Sequence, residues 1–313
     1  MFADFARVWS PTITTKELGR ALVRFTLAGE DLVLFRDASG KAAALVDRCP
    51  HRGAALSLGK RTAEGCVECP FHGWQFDRDG RNVHVPFDPN AKREHLGATA
   101  LPVREIGGLV WVYTSTSPPD HEPNVPDALV RDDVRMTYLW ADWSAHWTRA
   151  MENMLDYPHL PFVHRTTIGR DLARRMTHDS TLAMEWHEEP WGARIRATFD
   201  RDAPREILEY HAPNGMALLL SPPPRLFRIH AFCIPTKIGA TRMLIVCARA
   251  FAKLSLLDFV FDATNRKILE QDRAVVESSS PPEVPPPADE ASVATDRPTL
   301  AFRHHYLKHL KKA

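Results

Sequence analysis

Cysteine is scarce and odd in number, five in 313 residues, so no disulfide framework can use all of them. A chain this long buries roughly three quarters of the surface its unfolded form exposes. It therefore needs no covalent staples, and five thiols fit a reducing compartment in which cysteine serves ligation or packing. An excess of one charge sign is also missing: 40 Lys and Arg against 39 Asp and Glu leave a formal charge of +1. A nucleic acid or an acidic membrane surface would find no general electrostatic hold. No apolar run approaches the ~20 residues of a bilayer span, since Arg249 interrupts Met243–Phe251 and Asp258 interrupts Leu254–Phe261. Met1–Pro11 lacks a basic segment followed by an apolar run, so no signal peptide is expected, and the expected location is the cytoplasm. There is no internal repeat, no Gly-x-Gly-x-x-Gly fingerprint and no plant-type ferredoxin cysteine run.

Proline is plentiful, 25 residues, and clustered. Between Ala21 and Val112 short apolar runs alternate with turn signals: Leu22–Phe25, Leu32–Phe35, Ala43–Val46 and Gly108–Tyr113, divided by Asp37-Ala38-Ser39-Gly40 and Asp77-Arg78-Asp79-Gly80. This reads as a small antiparallel β domain over 1–115. Pro118, Pro119, Pro123 and Pro126 fall in a stretch without apolar periodicity, a linker over 116–127. The second domain, 128–313, opens with a helical pattern over Ser144–Tyr157 that Pro158 and Pro161 disturb. Strand-like runs follow at Ala193–Asp200, Glu206–His211, Met216–Ser221, Leu226–Ile234 and Thr241–Ala250, then a helical segment over Leu254–Ser278 and a basic tail over Arg303–Lys312. The fold class expected is α+β.

Chemistry concentrates in two places. Cys49-Pro50-His51 and Cys69-Pro70-Phe71-His72 each offer one thiolate and one imidazole from a turn between strand-like runs. Such a set suits a [2Fe–2S] centre with cysteines on one iron and histidines on the other, where neutral imidazoles in place of thiolates raise the reduction potential. A Cys2His2 zinc site uses the same ligand types, although zinc knuckles pair cysteine with cysteine and here each loop is mixed. Cys66 makes a Cys-x-x-Cys with Cys69, but only Cys69 has a histidine three residues on, so Cys66 reads as a spectator thiol. Cys233 and Cys247 sit in apolar runs and read as core.

The second place is Asn153-Met154-Leu155-Asp156-Tyr157-Pro158-His159-Leu160-Pro161-Phe162-Val163-His164. Asp156 and His159 are three apart, on one face of a helix, where the carboxylate can hold the imidazole's second nitrogen. His164 is five beyond His159, a spacing that turns it about 140° away on a regular helix. Both reach one metal only if the helix deforms, and the two prolines supply deformation. Two histidines with a carboxylate leave positions open for O2 and suit Fe(II). By spacing alone Glu270, Asp272 or Glu277 of the late helical segment can supply that carboxylate.

Cys49-Pro50-His51-Arg52-Gly53 with Cys69-Pro70-Phe71-His72-Gly73-Trp74 resembles the Rieske motif, without the added cysteines of respiratory Rieske proteins, whose places hold Ala54 and Phe71. With Asp-x-x-His-x-x-x-x-His downstream, nearly the whole chain, from Trp9 through Thr295-Asp296-Arg297-Pro298, resembles the oxygenase component of the Rieske non-haem iron oxygenases, the ring-hydroxylating and O- or N-dealkylating group. The resemblance implies a [2Fe–2S] cluster on Cys49, His51, Cys69 and His72, and Fe2+ on His159, His164 and Asp272. It further implies a helix-grip (START/Bet v 1-like) catalytic half around an apolar pocket, and a head-to-tail homotrimer in which Asp156 bridges His72 of one subunit to His159 of the next. Asn153 becomes a polar residue near the iron. Electrons would come from NAD(P)H through a separate reductase, with or without a ferredoxin. The reaction would be hydroxylation or oxidative dealkylation of a small or medium apolar molecule with O2, monooxygenase or dealkylase in preference to dioxygenase. The rival expectation is a Rieske-type electron carrier or a zinc-binding interaction protein that uses the first constellation alone.

Overall fold

The computed structural model describes residues 1–221 and 225–311. Its contacts divide the chain into two units, Met1–Pro123 and the residues from Asn124 onward.

The first unit is all antiparallel β. Strands β1 (Trp9–Thr14), β2 (Val23–Leu27), β3 (Glu30–Arg36), β4 (Ala42–Val46), β5 (Lys60–Arg61), β6 (Val67–Glu68), β7 (Gln75–Phe76), β8 (Asn82–His84), β9 (Ala100–Leu101), β10 (Val103–Ile106) and β11 (Leu109–Tyr113) form three sheets, ordered β1-β11-β10, β2-β3-β4-β9 and β5-β6-β7-β8. Pro11 stands within β1, where it costs a ladder donor; the register shifts between Pro11 and Ile13, so the missing N–H falls at a bulge. The core joins the second and third sheets through Val33, Phe35, Leu45, Val67 and Phe76, and Cys49 and Cys69 are part of it. Both cysteines thus start from an apolar, water-poor setting.

The second unit is a seven-stranded antiparallel sheet with helices against it. Strand β12 (Arg135–Trp143) precedes α1 (Trp147–Leu155), α2 (Leu160–Val163) and α3 (Arg170–Arg175); β13 (Leu182–Glu189), β14 (Gly192–Phe199), β15 (Arg205–His211), β16 (Gly215–Ser221), β17 (Phe227–Lys237) and β18 (Ala240–Arg249) follow. The sheet order is β12-β18-β17-β16-β15-β14-β13. The long helix α4 (Asp258–Val276) packs on β12 and α1, and α5 (Arg297–His305) packs on α1 and β13. This is the β-sheet-and-long-helix architecture expected of the catalytic half.

Two clamps hold the helices that carry the site. Arg149 of α1 pairs with Glu152 (2.9 Å) and Glu290 (2.6 Å), and Arg303 of α5 pairs with Glu290 (2.5 Å) and with Glu152. At the start of α4, Asp258 accepts from Arg135 (2.5 Å) and from the wholly buried Arg249. The first clamp draws the start of the basic tail into the unit. Arg303 is 6% exposed in this network, and Phe302, Tyr306 and Leu310 are buried, so the segment is a packed helix and its first arginine is committed inside the unit. Lys312 lies outside the described residues.

Candidate metal centres

The first constellation rests on two loops of one design. After β4, the Cys49 N–H donates to the Ala54 carbonyl (2.8 Å) and the Gly53 N–H to the Cys49 carbonyl (2.9 Å). Between β6 and β7, the Cys69 N–H donates to the Trp74 carbonyl (2.8 Å) and the Gly73 N–H to the Cys69 carbonyl (3.0 Å). Each turn closes on a glycine in the left-handed region, φ +75° at Gly53 and +70° at Gly73, where a side chain is strained. The loops set both cysteines inside, 2% exposed, and bring the rings of His51 and His72 to 4.5 Å between centroids. Trp74 stacks flat on His51, centroids 4.5 Å apart and planes 3° from parallel. This support was not drawn from the sequence, although Trp74 stands in the motif itself.

Burial pushes the Cys49 thiol up to about 11; the N–H groups of His51 and Arg52 oppose the rise and the adjacent Cys69 adds to it. At neutral pH it therefore keeps its proton unless a metal displaces it. Burial, together with His72 and Arg52, lowers His51 toward the neutral imidazole that ligates. His51 Nδ1 is shielded and has no hydrogen-bond partner. Two buried sulfurs and two facing imidazoles fit the [2Fe–2S] donor set. Cys66 is buried in the turn between β5 and β6, its N–H on Thr62 Oγ1 (3.2 Å).

In the second unit the helix does more than deform. α1 ends at Leu155, and Asp156 caps it with extended backbone (φ −84°, ψ 106°); Pro158 disfavours helix at Tyr157 and has no N–H to continue the helical ladder. Asp156 and His159 consequently do not share a helix face. Their closest approach, Oδ2 to Nδ1, is 3.8 Å, longer than a hydrogen bond, so the expected direct bond is replaced by proximity. α2 is a single turn with Pro161 in its first positions, where proline is tolerated, and His159 and His164 bracket it with ring centroids 5.1 Å apart. A break followed by one short turn thus does what a regular helix could not.

Asp272 of α4 completes the group. Its Oδ1 lies 2.8 Å from His164 Nε2 and 3.4 Å from His159 Nε2, and one ligand atom from each of the three falls within 4.8 Å of the others. Asp272 is 2% and His164 1% exposed. Glu277 instead accepts from the Ser144 N–H (2.7 Å) and Arg273 (2.8 Å), and Glu270 faces solvent. Burial alone would raise Asp272, but the two imidazoles more than reverse this and hold the carboxyl below its usual range. Burial likewise opposes protonation of His164, and Asp272 overcomes it. Asp272 Oδ1 and His159 Nδ1 nonetheless lack an aligned hydrogen bond. A buried anion facing two imidazole nitrogens is the arrangement a divalent cation would satisfy, and the donor set suits Fe(II).

His164 also has an orienting partner absent from the expectations: its Nδ1 lies 3.0 Å from Gln271 Oε1, which also accepts from Thr167 Oγ1 (3.3 Å). An Nδ1–H donated to Gln271 leaves Nε2 as the lone-pair donor. Burial raises Asp156, nearby His159 lowers it and Asp296 adds to the rise, for a net upward shift. Asn153, on the last turn of α1, keeps a shielded and unpartnered Nδ2.

These residues share the lining of one apolar cavity. Its wall is the inner face of the sheet, where alternate residues point the same way: Met216 and Leu218 on β16, Ile229 and Ala231 on β17. Opposite lies one stripe of α4, Asn265, Ile268, Leu269 and Asp272, at the i, i+3, i+4, i+7 spacing of a single helix face.

Residues 8–102 match the family model of the Rieske [2Fe-2S] domain, and residues 143–312 that of the vanillate O-demethylase oxygenase C-terminal domain. The chain is 36% identical over 165 residues to chlorophyllide a oxygenase of Chlamydomonas reinhardtii (52% of this chain, 25% of the relative). It is 28% identical over 249 residues to the phthalate 4,5-dioxygenase oxygenase subunit of Pseudomonas putida (73% and 56%). The matched part thus spans only a quarter to just over half of these relatives' length. Among solved structures, Pseudomonas putida CBB5 NdmA superposes with a TM-score of 0.81 at 25% identity, covering 96% of this chain and 89% of that one. Dicamba monooxygenase shares the fold, with a TM-score of 0.79 at 22% identity and 96% coverage of both. No helix among the described residues is long and apolar enough to cross a membrane. With a Rieske domain ahead of a vanillate O-demethylase-type oxygenase domain, the chain belongs to the Rieske non-haem iron oxygenase family, whose members carry a [2Fe–2S] cluster and a catalytic mononuclear iron.

Proposed function

We propose that this protein is the terminal oxygenase component of a multicomponent system that oxidises a small or medium apolar molecule with O2, using electrons from NAD(P)H delivered by a separate reductase, with or without a ferredoxin. The observation that carries the reading is the convergence of His159, His164 and Asp272 in the lining of an apolar cavity. In this reading Cys49, His51, Cys69 and His72 hold the [2Fe–2S] cluster, and His159, His164 and Asp272 hold Fe2+. The bound groups supply one-electron relay and dioxygen activation.

The chain's own residues do the rest. Gln271 and Thr167 set the tautomer and tilt of His164. Asp156, beside His159 Nδ1, is the residue we assign to link His159 with His72 of a neighbouring copy in a homotrimer. Asn153 offers an unpartnered amide nitrogen in the same cavity lining as the proposed iron ligands. The sheet's aliphatic side chains exclude water and hold the substrate by its apolar surface. Hydroxylation or oxidative dealkylation is favoured over dihydroxylation, supported by the match to an O-demethylase oxygenase domain. Turnover under 18O2 with NAD(P)H, a reductase and a panel of aromatic ethers and N-methyl compounds, read by mass, tests the reading. One 18O in the product alcohol or released aldehyde is the expected result. Anaerobically prepared protein without inorganic sulfide, or without iron beyond two per chain, would overturn it.

A further inference from the structure

Outside both proposed iron centres, the turns after Arg303 gather three imidazoles. His304 and His305 end α5, and His309 follows on a single π-helical turn, Tyr306–Leu310, a form frequent at functional sites. Residues four apart on a helix share a face, and the rings of His305 and His309 stand 5.0 Å apart between centroids, their planes at 42°. The three histidines line a cavity whose other side is the edge strand β13, with Glu188 and Glu189. Glu189 is taken by Arg194 (3.5 Å), whereas Glu188 is exposed. Arg297 and Lys308 also line the cavity, so its fixed charges balance when the imidazoles are neutral. His305 rests edge-on against the buried ring of Tyr210, centroids 5.9 Å apart. Burial, with His309 and then His304 adding to it, lowers His305 to about 4, which keeps this imidazole uncharged at neutral pH.

The geometry points to a further metal site, in which the imidazoles of His305 and His309 together hold a divalent cation of the zinc class. Two imidazoles on one tetrahedral cation, with metal–nitrogen bonds of about 2.0–2.1 Å, set their ring centroids about 5 Å apart. His305 and His309 already stand at that separation, as do His159 and His164, at 5.1 Å, where they converge on Asp272. Among the described residues only His159, His164 and Asp272 bring three ligand atoms within 4.8 Å, so the further site has two protein ligands and leaves its other positions to water. Glu188 supplies negative charge across the cavity without ligating. Imidazole donors suit Zn2+, Ni2+ and Cu2+, whereas Mg2+ and Ca2+ demand oxygen. The cation ties the end of α5 to the π turn. Because α5 also carries Arg303, which pairs with Glu152 of α1, occupancy stabilises the packed end of the second unit.

The test is equilibrium dialysis of the full chain, loaded with iron and cluster, against Zn2+ in excess Mg2+, with zinc, iron and sulfide assayed on the same samples. One zinc per chain is expected, without loss of iron or sulfide, together with a rise in melting temperature. His305→Asn and His309→Asn should each weaken zinc binding at least tenfold, since either removes the chelate, and should cancel that rise. His304→Asn should stay within threefold of wild type, which separates the pair from its neighbour. His309 is exposed, so His309→Asn should melt like the wild type when zinc is absent, and loss of zinc binding is then not loss of fold. Zinc uptake matched by iron release would overturn the inference, because it marks displacement at His159, His164 and Asp272. So would no uptake at all, uptake unchanged in His305→Asn and His309→Asn, an equal loss in His304→Asn, or suppression by Mg2+, which marks a carboxylate site.

Discussion

Replacing Gln271 by leucine removes the acceptor facing His164 Nδ1 while keeping similar bulk. His164 is 1% exposed, so water cannot readily replace the 3.0 Å contact. An unsatisfied buried N–H costs about 1–3 kcal/mol, and loss of an orienting partner on a metal-bound histidine typically weakens metal binding by about 10–100-fold, or roughly 1.4–2.7 kcal/mol. Both estimates converge on an iron dissociation constant raised at least tenfold. The measurement is anaerobic competition for Fe2+ against a chromophoric chelator. Cluster absorbance is the internal control, because the cysteine loops belong to the other unit. Gln271→Glu keeps an acceptor and should retain wild-type affinity or better. Thr167→Val, which removes only the 3.3 Å contact to Gln271, should cost less than Gln271→Leu. An iron affinity within twofold of wild type in Gln271→Leu, with the fold intact by thermal melting, would refute the orienting role.

Asp272→Ala should abolish mononuclear iron binding, measured by metal analysis, while the cluster's absorbance is unchanged. Asp156→Asn should leave both metal contents intact and reduce turnover at least a hundredfold in steady-state assays; full activity would remove its linking role. Gly73→Ala must hold alanine at φ +70° with its Cβ 3.1 Å from Pro86 Cγ. It should cost roughly 1–2 kcal/mol of stability and shorten the cluster's lifetime in air more than Gly53→Ala, whose Cβ would meet open space. Glu290 is depressed to about 2, chiefly by its hydrogen bond to Arg149 and then by Arg303. A depressed carboxyl stabilises the fold above its unfolded value and loses that contribution as pH falls from about 4.5 toward 2, up to about 3 kcal/mol before allowance for its partial exposure. Denaturant titrations of Glu290→Gln should therefore show a flatter acid limb in that window.

Much of this was legible because metal-ligating residue types are chemically narrow. Cys49, His51, Cys69, His72, His159 and His164, the ligands proposed, stand out by residue type and tight spacing. The carboxylate was harder: helix periodicity places Glu270, Asp272 and Glu277 in one segment, and only the packing of α4 against the sheet turns Asp272 inward and leaves Glu277 to cap Ser144. Strands β14 to β18 followed their apolar runs, whereas β12 and β13 did not stand out. β12 mixes Arg135, Thr137 and Asp142 with its aromatics, and β13 is an edge strand carrying Glu185, Glu188 and Glu189, where solvent tolerates charge. Gln271 and Asn265 were illegible for another reason. An amide gains meaning only from what it faces, and neither His164 nor the sheet wall of the cavity is near them in sequence. The same limit hid Arg303, whose burial depends on Glu152 and Glu290 arriving from elsewhere.

The histidines flanking α2 and the carboxylate of α4 come from opposite ends of a long excursion, for Gln271, next to Asp272, is 107 positions beyond His164. Every strand from β13 to β18 lies inside that excursion. An ion gripping both ends therefore acts as a removable cross-link, tying off a loop whose closure costs the unfolded chain entropy. Stripping it should lower the melting temperature of the second unit as well as silence it. Two preparations differing only in iron content would then differ in resistance to heat and protease, and a substitution anywhere in the sheet would be felt more sharply in the stripped form.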